Sequence, residues 1–125
     1  MTTRRLVHLE LHTGDLGRAR AFYEGLLARR FEAIGTSGSP YLTMDLGGVG
    51  GGVVECGTSR PLWLPYVDVE DVEAATALAR ELGAVVLLEP REGPAGWRSV
   101  VADPAGGEIG LWRPKDPLRS GAPRA

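Results

Sequence analysis

The hydrophobic pattern at the start of the chain changes from a two-residue period to a helical one. Residues 6–12 alternate, with Leu9 and Leu11 on one face and three polar residues on the other, which is typical of a β-strand. Asp15 is the predicted N-cap of a helix. The apolar stripe of that helix consists of Leu16, Ala19, Phe22, Tyr23, Leu26 and Leu27. Three more strands are predicted over 31–34, 41–46 and 49–56, with a Gly/Ser-rich loop over 35–40.

The same order returns 56 residues later, since Asp15 lies over Asp71 and Leu26 over Leu82. The second half predicts a strand over 62–69, a helix after Asp71 that ends at Gly83, and strands over 84–88, 97–102 and 108–112. Residues 89–96 are a predicted loop and 103–107 a predicted turn. Each half is therefore β-α-β-β-β, and the chain is predicted to be α+β.

We expect a single domain over 1–113, made of two modules at about 5–57 and 61–113, and a mobile tail over 114–125. Because one helix cannot cover both faces of a four-stranded sheet, the second face of each module needs a partner or a ligand.

Charge and composition narrow the function classes. The net charge is −2 with no basic cluster, which argues against nucleic acid, and no apolar run approaches membrane-spanning length. Cys56 is the only cysteine, so an internal disulfide and a Cys-rich zinc site are excluded. We therefore expect a cytoplasmic protein that contacts neither nucleic acid nor membrane.

Four segments, in order and at matching spacing, resemble the vicinal oxygen chelate superfamily, which includes glyoxalase I, bleomycin-resistance proteins and extradiol dioxygenases. They begin at His8 (HLELHTGDL), Arg20 (RAFYEGLL), Tyr66 (YVDVEDVEAA) and Asp103 (DPAGGEIGLW). The resemblance implies a glyoxalase/bleomycin resistance/dihydroxybiphenyl dioxygenase-like fold, in which two βαβββ modules form a curved open sheet around a pocket. It also implies a homodimer.

The resemblance implies four metal-ligand positions, one on each of four strands. Metal-dependent members carry a His or Gln seven residues before the Asp of the Asp-Leu pair, which is His8 here, and a Glu in a Val-Ile-Glu-Leu-like run, which is Glu55 here. The other two positions fall on Leu64 and Gly110, which have no side-chain donor. Since a divalent ion needs three or more protein ligands, no cofactor is expected, and a divalent metal held by His8 and Glu55 is the alternative.

If the resemblance places His8 and Glu55 in the pocket, the strand period predicts which residues lie beside them. Gly110 is then expected to leave open space for a ligand. Trp63 falls on the opposite face and is expected under a helix. Trp97 and Arg98 could gate the pocket, and the alternative for Trp97 is a place in the core. The predicted ligand-pocket residues are His8, Glu10, His12, Glu55, Leu64, Tyr66, Asp68, Glu108, Gly110 and Trp112.

Three functions remain open from the sequence. The favoured one is a metal-independent small-molecule-binding protein that sequesters a ligand or binds a metabolite. The second is an enzyme, a lyase, isomerase or dioxygenase, that uses His8 and Glu55 with a metal, or acid–base chemistry alone. The third is a structural or regulatory module without a small ligand. The row His8, Glu10 and His12 could shuttle protons, or could be the polar face of a half-exposed strand.

Overall fold

The computed structural model of the chain describes residues 5–34, 41–57, 60–93 and 96–114. Its first module contains β1 (Leu6–Thr13), α1 (Leu16–Leu27), β2 (Glu32–Ile34), β3 (Tyr41–Asp45) and β4 (Gly50–Glu55). Its second contains β5 (Leu62–Asp68), α2 (Val72–Glu81), β6 (Val85–Glu92), β7 (Gly96–Ala102) and β8 (Glu108–Pro114). The predicted α+β class with two β-α-β-β-β modules is confirmed. The loop predicted at 35–40 and the tail from 115 lie outside the described residues.

The chain forms two compact units, Val7–Pro65 and Met1–Leu6 with Tyr66–Ala125, so the division falls inside β5. In the first module the strand order is β2-β3-β4-β1, and in the second it is β5-β8-β7-β6. The first and last strands of each module are paired in parallel, as in β1 with β4, and the other pairs are antiparallel.

Both helices begin at the predicted aspartates. The Asp15 side chain accepts a hydrogen bond from the Arg18 N–H at 3.1 Å, and the Asp71 side chain accepts one from the Ala74 N–H at 3.0 Å. After α2 the chain turns at Gly83, whose φ of 99° lies in the left-handed region that glycine adopts without strain. These caps fix where each helix leaves its preceding strand.

Each helix covers one face of the sheet in its own unit. In the first unit the core consists of Leu11, Phe31, Leu42, Met44 and Val53, against which α1 packs Leu16, Ala19 and Tyr23. In the second unit the core consists of Val69, Val72, Val101 and Leu111, and α2 adds Ala75 and Ala79. The polar face of β1 is turned away from the first of these cores.

The predicted apolar stripe of α1 is only partly buried. Phe22 and Leu26 are 59% and 64% exposed, and Leu27 is also exposed. At the 56-residue offset, Leu78 of α2 and Leu82 at its C-cap are 54% and 69% exposed. The expectation that the whole stripe faces the core is therefore wrong, because the helix buries the row that starts at Leu16 and leaves the neighbouring i, i+4 pair on its flank.

The sixth strand is longer than predicted. Residues 89–92 continue β6 instead of forming a loop, and Arg91 and Glu92 still pair with β7. Pro90 is tolerated because, among the described strands, β6 is bonded to β7 alone, and its register is irregular between Leu88 and Arg91. The last strand likewise continues through Arg113 to Pro114, beyond the predicted end at 112.

Candidate functional site

The polar row of β1 lies on the sheet face opposite α1. Parallel pairing places His8 beside Gly50, Glu10 beside Gly52 and His12 beside Val54. His8 is buried, and the carboxylate of Glu10 has no exposed surface. A carboxylate removed from water costs free energy unless hydrogen bonds satisfy it, so its partners decide what this face can do.

Tyr41, at the start of β3, joins this row. Its hydroxyl donates to Glu10 Oε2 at 2.6 Å and lies 2.6 Å from His8 Nε2. His12 Nε2 lies 2.8 Å from Glu10 Oε1. Because the tyrosine proton goes to Glu10, His8 is the donor to the tyrosine oxygen, and Glu10 is the final acceptor of the chain. We call His8, Glu10, His12 and Tyr41 the polar cluster.

A glycine makes room for Tyr41. A Cβ on Gly52 would overlap the Tyr41 hydroxyl and would lie 3.0 Å from His8 Nε2. Sequence reasoning missed Tyr41, because its loop neighbours give no sign of which face it takes. The signal was the register of β3: Leu42 pairs with core residue Val53, so Tyr41 must fall on the opposite, polar face.

The structure does not bring Glu55 to His8. Glu55 is exposed and pairs with Thr13, one residue out of phase with the polar row. The internal repeat shows why. Tyr66, which is equivalent to Glu10 at the 56-residue offset, pairs with Gly110, whereas Glu10 pairs with Gly52. The first-module counterpart of Gly110 is therefore Gly52 and not Glu55, and an offset of three residues along a strand reverses the face.

In the second unit, the face opposite α2 is aromatic. Tyr66 pairs with Gly110 and Asp68 with Trp112, and the Tyr66 and Trp112 rings meet edge to face at 5.4 Å. Leu64 and Tyr66 are buried, and Asp68 and Glu108 are partly exposed. Gly110 does not leave the expected open space, because a Cβ there would overlap the Tyr66 ring.

Arg98, one of the two residues that could border the pocket according to the sequence, lies on this aromatic face. It pairs with Trp112 across β7 and β8, and its Cζ lies 5.7 Å from the centre of the Tyr66 ring. Trp97 points to the other face and is 46% exposed, so it is not the core residue that was one of its two expected roles. Trp63 is packed on the α1 side as expected, with its Nε1 donating to the Tyr23 hydroxyl at 3.1 Å.

The donor set does not fit a divalent metal at the positions that the resemblance implies. The residues of β4 beside the polar row are Gly50, Gly52 and Val54, and none of them has a side chain that could bind a metal. His8 Nε2, one of the two ring nitrogens that can bind a metal, is hydrogen-bonded to Tyr41. Within the described ranges, no three His, Cys, Asp or Glu side chains are grouped so that they could hold an ion.

One family of proteins matches this chain over nearly all of the described residues. The model of the family described as "Glyoxalase-like domain" matches residues 8–112, and the chain belongs to this family. It is thus a member of the vicinal oxygen chelate superfamily. None of the helices in the described part of the chain is long and apolar enough to cross a membrane.

Two relatives come from Streptomyces. The chain is 36% identical over 103 residues to the anthracycline biosynthesis protein DauV of Streptomyces sp. (strain C5), covering 78% of this chain and 37% of DauV. It is 32% identical over 121 residues to the anthracycline biosynthesis protein DnrV of Streptomyces peucetius, covering 94% of this chain and 42% of DnrV. The chain therefore spans less than half the length of these relatives.

Solved structures share the fold at low identity. A methylmalonyl-CoA epimerase from Mycobacterium tuberculosis superposes with a TM-score of 0.64 at 18% identity, over 94% of this chain and 91% of that one. A hypothetical protein from Bacillus halodurans C-125 gives a TM-score of 0.66 at 14% identity, over 92% and 97%. At such identities the likeness establishes the fold alone.

Proposed function

We propose that this glyoxalase-like protein binds a small aromatic molecule without a metal ion. The observation that carries the proposal is the replacement of a metal site by hydrogen bonds. Where a β4 ligand would accompany His8, the chain has glycines and a valine, and the Tyr41 hydroxyl fills the space over Gly52. His8 thereby interacts with Tyr41 and Glu10. This face therefore offers hydrogen bonds to a ligand and does not offer a metal ion for the ligand to coordinate.

The polar cluster has one accessible member. The His12 side chain is 21% exposed, whereas that of Glu10 is fully buried. A ligand would therefore reach the cluster at His12, whose ring orientation is held by the Glu10 carboxylate. A hydroxyl or carbonyl group on the ligand could then exchange a hydrogen bond with the imidazole, whose other ring nitrogen donates or accepts according to its tautomer.

An aromatic ligand is favoured by the two curated relatives. The relatives DauV and DnrV are anthracycline biosynthesis proteins, and anthracyclines are planar aromatic compounds. Sequestration or metabolite binding would both use such a site.

Titration with an anthracycline and with 1,4-dihydroxyanthraquinone tests the proposal. We expect saturable fluorescence quenching by the wild type, and about tenfold weaker binding by His12→Ala, which corresponds to roughly 1.4 kcal/mol. Glu55→Gln is the matched control, because Glu55 is exposed on the other face, and it should bind as the wild type does. Failure of both probes to bind, or equal loss in the two variants, would contradict the proposal.

Acid–base catalysis is the second candidate, and the contact of His12 Nε2 with Glu10 Oε1 at 2.8 Å favours it over metal chemistry. This pair could accept a proton from a bound substrate at His12 and hold it on Glu10. Chromatography of the probes after incubation separates the candidates. Probes recovered unchanged support binding alone, whereas a product formed by the wild type and not by Glu10→Gln supports an enzyme.

A further inference from the structure

The His12 imidazole has one hydrogen-bond partner in the described part of the chain, and that partner is Glu10. Nε2 of His12 lies 2.8 Å from Glu10 Oε1. The second oxygen of the carboxylate, Oε2, accepts from the Tyr41 hydroxyl at 2.6 Å. Because Glu10 has no exposed surface, protein groups must satisfy both of its oxygens, and an ionised carboxylate has no proton to give in return.

This arrangement determines which nitrogen of His12 carries the proton. An imidazole nitrogen that faces a carboxylate oxygen is the N–H donor, so the proton of the neutral ring is on Nε2. Nδ1 then has a lone pair and no proton. The same reasoning gives Nε2–H for His8, whose Nε2 lies 2.6 Å from the oxygen of Tyr41, since that hydroxyl already donates its own proton to Glu10. Glu10 therefore sets the protonation of both rings.

We propose that Glu10 makes His12 a hydrogen-bond acceptor toward the ligand, and that the ligand is an aromatic compound that presents a hydroxyl group there. This inference rests on the proposed function, because it concerns the group that a ligand places at His12. A hydroxyl donates to Nδ1, whereas a carbonyl or ether oxygen at the same place faces another lone pair. A site built to pair with a hydroxyl rejects an analogue that lacks it, because the buried polar group of the site is left unpaired.

The surroundings of His12 suit such a ligand. The His12 side chain is 21% exposed, so a ligand can reach the ring while Nε2 stays bonded to Glu10. The neighbour of His12 on β4 is Val54, which is also partly exposed. Val54 has no polar side-chain atom, so it offers the ligand an apolar contact and does not compete for Nδ1. An apolar surface beside a single acceptor fits an aromatic ring that carries a hydroxyl group.

Nitrogen-15 NMR of the histidine rings tests the tautomer without any ligand. The chain has two histidines, and a His12→Gln variant assigns their signals. At about pH 8, where an ordinary histidine side chain is neutral, we expect the His12 proton on Nε2. A His12 ring with its proton on Nδ1, or with both nitrogens protonated, would overturn the proposal.

Glu10→Gln tests whether Glu10 is the cause. An amide of the same shape accepts at one end and donates at the other, so one of the two histidine rings should move its proton to Nδ1. Glu55→Gln is the matched control, because Glu55 is exposed and out of phase with the polar row, and both rings should keep their proton on Nε2. Two unchanged rings in a folded Glu10→Gln variant would also overturn the proposal. If that variant does not fold, the wild-type spectrum decides.

A matched pair of probes tests recognition of the hydroxyl group. The probes are 2-(hydroxymethyl)anthraquinone and its methyl ether, which differ in the hydrogen-bond donor and share the same ring system. We expect quenching of tryptophan fluorescence to show about tenfold tighter binding of the hydroxyl compound. Equal binding of the two would overturn this inference and leave the proposed function standing, whereas binding of neither would contradict the proposed function itself.

Discussion

At the scale of single residues, a buried carboxylate defines the first module. Glu10 is fully buried, and its two oxygens accept from Tyr41 and interact with His12. Both partners reach it because neighbouring positions of β4 carry no large side chain. The small size of Gly52 is thus as necessary to the cluster as the polar groups are.

Tyr41→Phe removes one hydrogen bond from a carboxylate that water does not reach. We expect a loss of about 1–3 kcal/mol in the free energy of unfolding, since a hydrogen bond to a buried carboxylate is lost. Tyr23→Phe is a useful comparison, because its hydroxyl accepts from Trp63 in a partly buried place, and its loss should cost no more than about 1 kcal/mol. Urea unfolding followed by tryptophan fluorescence measures both, and equal losses would argue against a special role of the Glu10 environment.

Gly52→Ala should displace Tyr41, because the new methyl group would overlap its hydroxyl. The expected destabilisation is about 1–3 kcal/mol, as for other overpacked interiors. Gly57→Ala is the control, since nothing lies within 4 Å of its added methyl group, and it should change stability by less than about 0.5 kcal/mol. A neutral Gly52→Ala variant, measured by the same denaturation, would show that Tyr41 does not occupy this space.

At the scale of elements, the side chain of Glu24 links α1 to the chain that follows it. Glu24 Oε2 accepts from the Phe31 backbone N–H at 2.8 Å and from Arg20 Nε at 3.1 Å. The hydrogen bond from Phe31 lowers the pKa of Glu24 below its ordinary value of 4.5, and Arg20 lowers it further, while partial desolvation opposes both. The folded protein therefore prefers the ionised carboxylate.

This preference predicts a dependence on acid. A carboxyl group whose pKa is lowered by folding stabilises the fold above 4.5, its value when unfolded, and this stabilisation is lost as the pH falls through the folded-state pKa. The urea midpoint of the wild type should therefore exceed that of Glu24→Gln near neutral pH, and the difference should shrink below pH 4.5. A difference that stays constant with pH would mean that the charge of Glu24 does not contribute.

At the scale of the whole molecule, the two modules of the repeat share their strand pairing but differ in the side chains on the face opposite the helix. Glu10 and Tyr66 are equivalent and both are paired with a glycine, yet one belongs to a hydrogen-bonded polar cluster and the other to an aromatic one. Each glycine makes room for a tyrosine, Tyr41 in the first module and Tyr66 in the second. The two faces thus differ chemically while their backbones correspond.

Prolonged dialysis against a chelator tests the proposed independence from metal. The melting temperature should stay unchanged after dialysis and after addition of Zn²⁺, Ni²⁺ or Mn²⁺, because the strands beside His8 offer too few donors. A ligand at 100 times its dissociation constant would stabilise the fold by about 2.7 kcal/mol, a shift that such a measurement detects. A metal-dependent rise that is lost in His8→Ala would overturn the proposal.

Much of the architecture follows from local pattern. Strand alternation, aspartate caps and the 56-residue repeat were sufficient to predict both modules, since each of these signals comes from residues close together in sequence. The prediction of element lengths and of exposure failed where strand pairing or helix packing determines them. The continuation of β6 past Pro90 depends on its having one bonded neighbour, and the exposure of Phe22 and Leu26 depends on which row of α1 meets the sheet.

The sequence by itself determined the class of fold, the helix starts and the common face of His8, Glu10 and His12, because strand and helix periods are properties of the local chain. Only the tertiary structure decided which residues those side chains meet. It brought Tyr41 to Glu10, filled the space over Gly110 with Tyr66 and turned Glu55 away from His8. The reason is register: a shift by an odd number of residues along a strand reverses the face of a side chain, and register is set by pairing between distant segments.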